Sequence, residues 1–266
     1  MDIFLIIGII VGLGAVSTGL LMKGASVAIL FSPEAMMVIL VGTAAAVMNS
    51  FPKKEFLNIP KLFGVAFREK AKEDPVEIIQ QMIDMAYETR KNGLLSLEGK
   101  LQEMNNEFMK QGLEMVVDGT EPEYIRQVLS DDIEGMEDRH RSNASIFTTA
   151  GGASPTLGVL GAVIGLIGAL GNLNDTAKLG ESIAAAFVAT LYGIFFGYVV
   201  WHPLASRLKR KSHEEVSNKH IILEGVLAIQ EGKNPKTIEK KLLSMLSPKD
   251  RKKFEATSDF NEGKGD

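Results

Sequence analysis

Cysteine is absent from the 266 residues, so no disulfide, thiolate metal site or cysteine nucleophile can be built. Histidine is scarce. The four present, His140, His202, His213 and His220, lack the paired spacing of a metal site and read as polar residues at helix ends and surfaces. Neither a nucleophile–base set nor a phosphate-cradling glycine loop occurs, which makes an enzyme the least favoured class. A net charge of −4 and a pI near 5.7 give no reason to expect nucleic-acid binding. The most informative scarcity is local: Asp, Glu, Lys and Arg are missing from Ser142 through Asn174 and again from Ser182 through Ser206.

Mean hydropathy is only +0.09 because apolar and charged residues are segregated into blocks. Such blocks indicate a membrane protein with a sizeable polar part. A bilayer crossing takes about 20 apolar residues, and four stretches qualify as transmembrane helices: 3–22, 33–51, 146–172 and 181–203. The first follows Asp2 rather than a basic leader and is long for a signal core, so a retained span is expected. Pro33 suits the first turn of the second. Between spans two and three, residues 52–141 are polar and charged and show no strand alternation, predicting a helical domain. Within it, Phe56, Ile59, Phe63 and Phe67 recur at helical spacing, fitting either a helix on the membrane surface or one packed on the soluble domain. Asp74–Pro75 starts a helix that Asn92–Gly93 ends, and further helices are expected over 97–117 and 121–141. Residues 204–266 form C-terminal helices, one continuing from span four to about Glu231 and a short one starting near Pro235. The end of the chain, from Glu255, reads as a disordered tail. The fold class is therefore an all-α membrane protein with four transmembrane helices.

Orientation follows from counting. Residues 52–141 hold 13 Lys and Arg and residues 203–266 hold 14, whereas the two short connectors hold one each, Lys23 and Lys178. Positive flanks stay on the cytoplasmic side, which puts both termini and both polar segments inside. Proton-driven machines usually carry a titratable group within the membrane. No span has an interior Asp, Glu, Lys or Arg, since Glu34 and Glu181 sit at the outer edges. If this protein moves protons, a partner must bring the carboxylate.

Helix faces sharpen that reading. Gly158, Gly161, Gly165 and Gly168 make a glycine stripe on span three, and Ala185, Ala189, Gly193 and Gly197 make a small-residue stripe on span four. Both invite close helix contacts, within one chain or between chains. The opposite face of span four carries Ile183, Phe187, Thr190, Ile194 and Tyr198. Thr190 is the mid-span hydroxyl there, and its ordinary use would be a bond to the carbonyl one turn back. Pro155 removes a backbone bond from span three; it reads as a tolerated kink or as a hydrated point on a path, and Thr156 adds a hydroxyl beside it. Pro203 is placed at the end of span four.

The segment "AGGASPTLGVLGAVIGLIGAL", followed by "LGESIAAAFVATLYGIFFGYVVWHPLASRLK", resembles the signature of the MotA family within the MotA/TolQ/ExbB proton channel group. "MNSFP" after span two and "YETRKNGLLSLEG" in the polar segment extend the resemblance over nearly the whole chain. It implies a stator subunit of the bacterial flagellar motor in the inner membrane. Five such subunits would surround two MotB-like partners, each bringing a membrane Asp from a single helix. The missing intramembrane carboxylate would then be the partner's. The resemblance implies roles for single residues too. Pro155 and Pro203 would couple ion flow to torque. Thr190 would face the partner's Asp, with Phe187 as a gating aromatic and Tyr198 and Thr156 along the same path. Arg90 and Glu98 would engage the rotor protein FliG. Sodium-driven relatives tend to carry Thr-Thr where this chain has Ala189–Thr190, so one oxygen fewer favours protons over sodium. No cofactor is implied. A TolQ/ExbB-like energiser of envelope transport is the alternative, although those relatives have three spans. A non-conducting scaffold would leave Thr190 and Pro155 replaceable.

Overall fold

A computed structural model of the protein describes residues 3–68 and 73–262, except for side chains at 257–262. Asp2, residues 69–72 of the surface-helix segment and residues 263–266 of the expected tail lie outside the described residues. In chain order the helices are α1 (Ile3–Met22), α2 (Pro33–Ser50), α3 (Lys53–Phe56), α4 (Ile59–Phe67), α5 (Pro75–Asn92), α6 (Glu98–Leu101), α7 (Glu107–Val117), α8 (Pro122–Leu170), α9 (Thr176–Phe195), α10 (His202–Gln230), α11 (Pro235–Ser244) and α12 (Pro248–Glu262). A π-helical segment, Phe196–Trp201, joins α9 to α10, and 3₁₀ turns occupy Val27–Leu30 and Leu94–Leu97. Among the described residues there is no strand, and the protein is an all-α membrane protein. Four helical stretches, Ile3–Met22, Val27–Ser50, Pro122–Leu170 and Thr176–Gln230, are long and apolar enough to cross a membrane.

Local chemistry sets the helix starts. The Ser32 hydroxyl accepts from the Ala35 N–H ahead of α2, Asp74 from Val76 ahead of α5, Asn106 from Met109 ahead of α7, and Asp175 from Ala177 and Lys178 ahead of α9. Each satisfies a backbone donor that an open helix end would leave bare. Gly93 closes α5 at φ +82°, a backbone region that penalises side chains.

Three expectations change here. The single helix foreseen over 97–117 is broken, because the Asn106 cap starts a new helix at Glu107 and a turn precedes it. The helix foreseen over 121–141 does not stop there; with no strong stop signal after Pro122 it runs on through Pro155 to Leu170. The expected disordered tail is helical through Glu262, as α12.

Residue contacts divide the chain into two compact units, Met1–Lys70 with His140–Lys211 and Ala71–Arg139 with Ser212–Asp266. The segment 52–68, read from sequence as part of the polar domain, thus groups with the apolar helices. Its helix α4 packs on α8 and the π segment of that unit. Leu62 and Ala66 are buried, and Phe63 meets Phe147 of α8 edge-on at 5.2 Å and Trp201 at 6.2 Å. Lys211 of α10 donates to the Val65 and Arg68 carbonyls, each at 2.6 Å, satisfying acceptors at the end of α4 that a helix terminus leaves open. In this unit α1 buries only Leu5, while Phe4, Ile10 and Val11 are more than half exposed. Such apolar surface is costly in water and fits lipid or neighbouring helices.

The second unit is a helical bundle with an apolar centre. Ile79 and Met82 of α5, Met109 and Leu113 of α7, Leu129 of α8 and Val226 of α10 are wholly buried. Each such side chain contributes about 1.5–3 kcal/mol relative to exposure. Charge pairs tie its rim. Glu224 accepts from Arg126 at 3.2 Å and from Lys241, and Lys253 donates to Asp74.

Candidate functional site

The pairing of α8 with α9 and the π segment is built on glycine. A Cβ at Gly193 would lie 2.5 Å from the Ser154 carbonyl oxygen, and one at Gly161 2.7 Å from the Ala189 methyl. At Gly165 it would stand 2.8 Å from the Ala186 methyl, and at Gly158 3.1 Å from the Ala189 carbonyl. The two stripes therefore meet each other inside one chain. On α9 the contacting stripe is Ala186, Ala189 and Gly193, so Ala186 takes the place that sequence spacing gave to Ala185.

This close approach decides what Thr190 touches. Its hydroxyl lies 3.4 Å from the Ala186 carbonyl one turn back and 3.4 Å from the Gly158 carbonyl across the helix pair. One O–H proton cannot satisfy both, and both distances are long for a hydroxyl donor. Thr190 is held loosely at the edge of the contact, with a lone pair able to accept. Phe187 at 72% and Tyr198 at 62% are among the most exposed aromatics of the unit, and Ile194 is half exposed. They form an outward face beside Thr190. Thr156 is also exposed and donates weakly to the Gly152 carbonyl at 3.4 Å. Ala189 is not on this face. It is 2% exposed, with its methyl against Gly161.

Pro155 does not break α8. Its ring packs where a Cβ on Gly197 would come within 2.9 Å of its Cγ, and the Gly151 carbonyl oxygen lies equally close to that point. Proline has no N–H to offer the carbonyl four residues back, so the Gly151 oxygen loses its helical donor. Pro203, expected to end span four, instead sits in the first turn of α10 directly after the π segment. Within that segment the His202 N–H bonds to Gly197, five residues back. Tyr198 and His202, four residues apart and so on one side of the helix, have rings 5.4 Å apart.

Two features had weak sequence signals. Thr43 of α2 and Ser154 of α8 form a 3.0 Å hydrogen bond, with 3% and 0% exposure, and the Ser154 hydroxyl is also 2.9 Å from the Ala150 carbonyl. A hydroxyl directly before an in-helix proline was the available hint, but its partner on another helix could not be read. The π segment had only Pro203 to announce it.

Arg90 and Glu98 are exposed in the other unit. Arg90 borders a cleft of about 490 Å³ with Tyr87, Lys91, Asn234, Pro235 and Lys236, a basic surface. Glu98 opens α6, which is tied back to α5 by a 3.4 Å ion pair between Lys100 and Glu88. Among the described residues no group of three or more His, Cys, Asp or Glu could hold a metal ion.

Comparison with known proteins places this geometry. The family model described as "MotA/TolQ/ExbB proton channel family" matches residues 100–221, and "Motility protein A N-terminal" matches residues 6–93. Motility protein A of Bacillus subtilis is 48% identical over 99% of this chain and 97% of its own length. The solved flagellar MotAB stator complex of Bacillus subtilis contains a chain 49% identical, with a TM-score of 0.87, covering 94% of this chain and 98% of that one. A chain of C. jejuni MotAB is 32% identical at a TM-score of 0.87, covering 93% and 97%. Similarity of this extent, over both the apolar helices and the polar unit, makes the chain a member of the MotA/TolQ/ExbB proton channel family.

Proposed function

We propose that the chain is a stator subunit of the bacterial flagellar motor, forming with a MotB-like single-span partner a complex that turns ion flow into torque. The observation that carries this reading is the face of α9 and the π segment. Phe187, Ile194 and Tyr198 are exposed beside a loosely held Thr190 hydroxyl, on a stretch, Ser182 through Ser206, that contains no carboxylate of its own. A partner helix bringing an Asp to this face completes a site for the ion. Pro155 and Pro203 flank the place where α8 contacts the π segment and couple ion passage to helix movement. The stator complexes among the solved relatives support the same reading.

Proton is the ion. Sodium needs several oxygen ligands, whereas Thr190 supplies one hydroxyl and Ala189 none. The chain lies in the inner membrane with both termini in the cytoplasm, as the Lys and Arg flanks require. Copies of the chain, five around two partners, enclose the path, and Arg90 and Glu98 push against FliG. One charge moving through ~100 mV yields about 2.3 kcal/mol, enough to turn a ring that breaks little packing at each step.

Thr190→Val keeps the shape and removes the hydroxyl. Cells carrying it are expected to be non-motile with normal amounts of complex in the membrane, while Thr190→Ser swims. Normal swimming of the valine variant would sink the ion-path reading. Swimming that requires external sodium would overturn the proton assignment.

A further inference from the structure

From Ser182 to Ser206 the ionisable side chains are Tyr192, Tyr198 and His202. A phenol keeps its proton to about pH 10, whereas an imidazole binds and releases one near neutrality. His202 is the one imidazole on this stretch, and a neutral imidazole carries a ring nitrogen whose lone pair can accept a proton.

Its placement is specific. The ring lies flat over Gly151, where an added Cβ would stand 2.9 Å from Nδ1, Cδ2 and Cε1 alike. Gly151 is the residue whose carbonyl Pro155 leaves without its helical donor. The imidazole lies 5.4 Å from the exposed Tyr198 ring one turn back, at the end of the face that begins with Phe187 and Thr190. Half-buried, the His202 side chain makes no hydrogen bond or ion pair among the described residues.

We propose that His202 is a proton-accepting station at the inner end of the ion path. A hydronium ion beside Tyr198 gives up a proton as its O–H bond breaks and an N–H bond forms on the unprotonated ring nitrogen. The imidazolium then passes that same proton to a second water, its N–H bond breaking as an O–H bond forms, and the ring returns to its starting state. This step rests on the reading of the α8–α9 face as the path.

The test uses the complex of the chain with its single-span partner in liposomes, reading proton uptake with an interior pH dye under a potassium diffusion potential. His202→Phe preserves a flat ring over Gly151 but cannot take a proton, and is expected to lower uptake about tenfold or more. His202→Ala is expected to fall similarly and to recover when imidazole is added. Thr190→Val is measured beside them. If it blocks uptake while His202→Phe conducts at the parental rate, the His202 step is wrong and the path stands. If neither variant affects uptake, the path reading itself falls and takes the His202 step with it. Failure of imidazole to restore His202→Ala would reduce the residue to packing on Gly151 and overturn the proposal.

Discussion

Gly193 shows how little room the helix pair leaves. With the nearest atom a backbone carbonyl 2.5 Å from the place a Cβ would take, no side chain can rotate away to make space. Gly193→Val must therefore push α9 off α8, at a cost of about 1–3 kcal/mol for an overpacked contact, and with it shift Thr190 from the Gly158 carbonyl. The purified complex should melt at lower temperature and conduct poorly, whereas Gly8→Val, where nothing lies within 4 Å in the monomer, should leave the fold of the chain intact. Equal melting temperatures for the Gly193 variant and its parent would show that the pair is not held at this point. At the same scale, Ser154 illustrates a residue whose meaning was hidden. Next to Pro155 it looked incidental, yet it is fully buried and bonded to Thr43 on another helix.

At the scale of elements, α4 depends on a contact from far along the chain. Its amphipathic pattern was legible, but the surface it packs against was not, because Phe147, Trp201 and Lys211 lie on elements distant in sequence. Lys211→Met keeps the stem and removes the donor to the Val65 and Arg68 carbonyls. The expected loss is about 0.5–1.5 kcal/mol, the worth of ordinary intramolecular hydrogen bonds, seen as faster amide exchange confined to residues 59–67. Unchanged exchange there would mean that the aromatic contacts alone hold α4. The π segment belongs to this scale as well. Its five-residue backbone bond from His202 to Gly197 is one that an ideal period of 3.6 does not predict, whereas the Tyr198–His202 pair, four residues apart, fits that period.

For the whole molecule, acid tests the polar unit separately from the apolar one. Burial pushes the Glu224 carboxyl up, but its bonds to Lys241 and Arg126 and their charges outweigh this and leave it below its ordinary value of 4.5. Asp74 behaves alike: burial raises it, and the Lys253 bond, the Val76 N–H and the Lys253 charge bring it below 3.8. A depressed carboxyl stabilises the fold above its unfolded pKa and loses that contribution as pH falls through the folded one. Glu224→Gln should thus lower the melting temperature at pH 7, and the gap from the parent should close as pH drops below about 4.5. A gap that stays constant down to pH 3 would show that the charge contributes nothing beyond packing.

Sequence by itself determined the membrane class, the four apolar helices, the lack of an interior Asp, Glu, Lys or Arg and the small-residue stripes, because these are properties of composition and of period along a single helix. It also placed Thr190, Pro155 and Phe187 in one hairpin. Only the tertiary structure decided that the stripes close on each other within one chain, since a stripe is equally complementary to its own neighbour and to another copy. The same holds for Ala189, turned into the Gly161 contact while Phe187 and Tyr198 are left outside, and for the division that sends 52–68 to the apolar helices. These outcomes depend on which distant surfaces meet, and that is set by packing among elements rather than by the order of residues within any one of them.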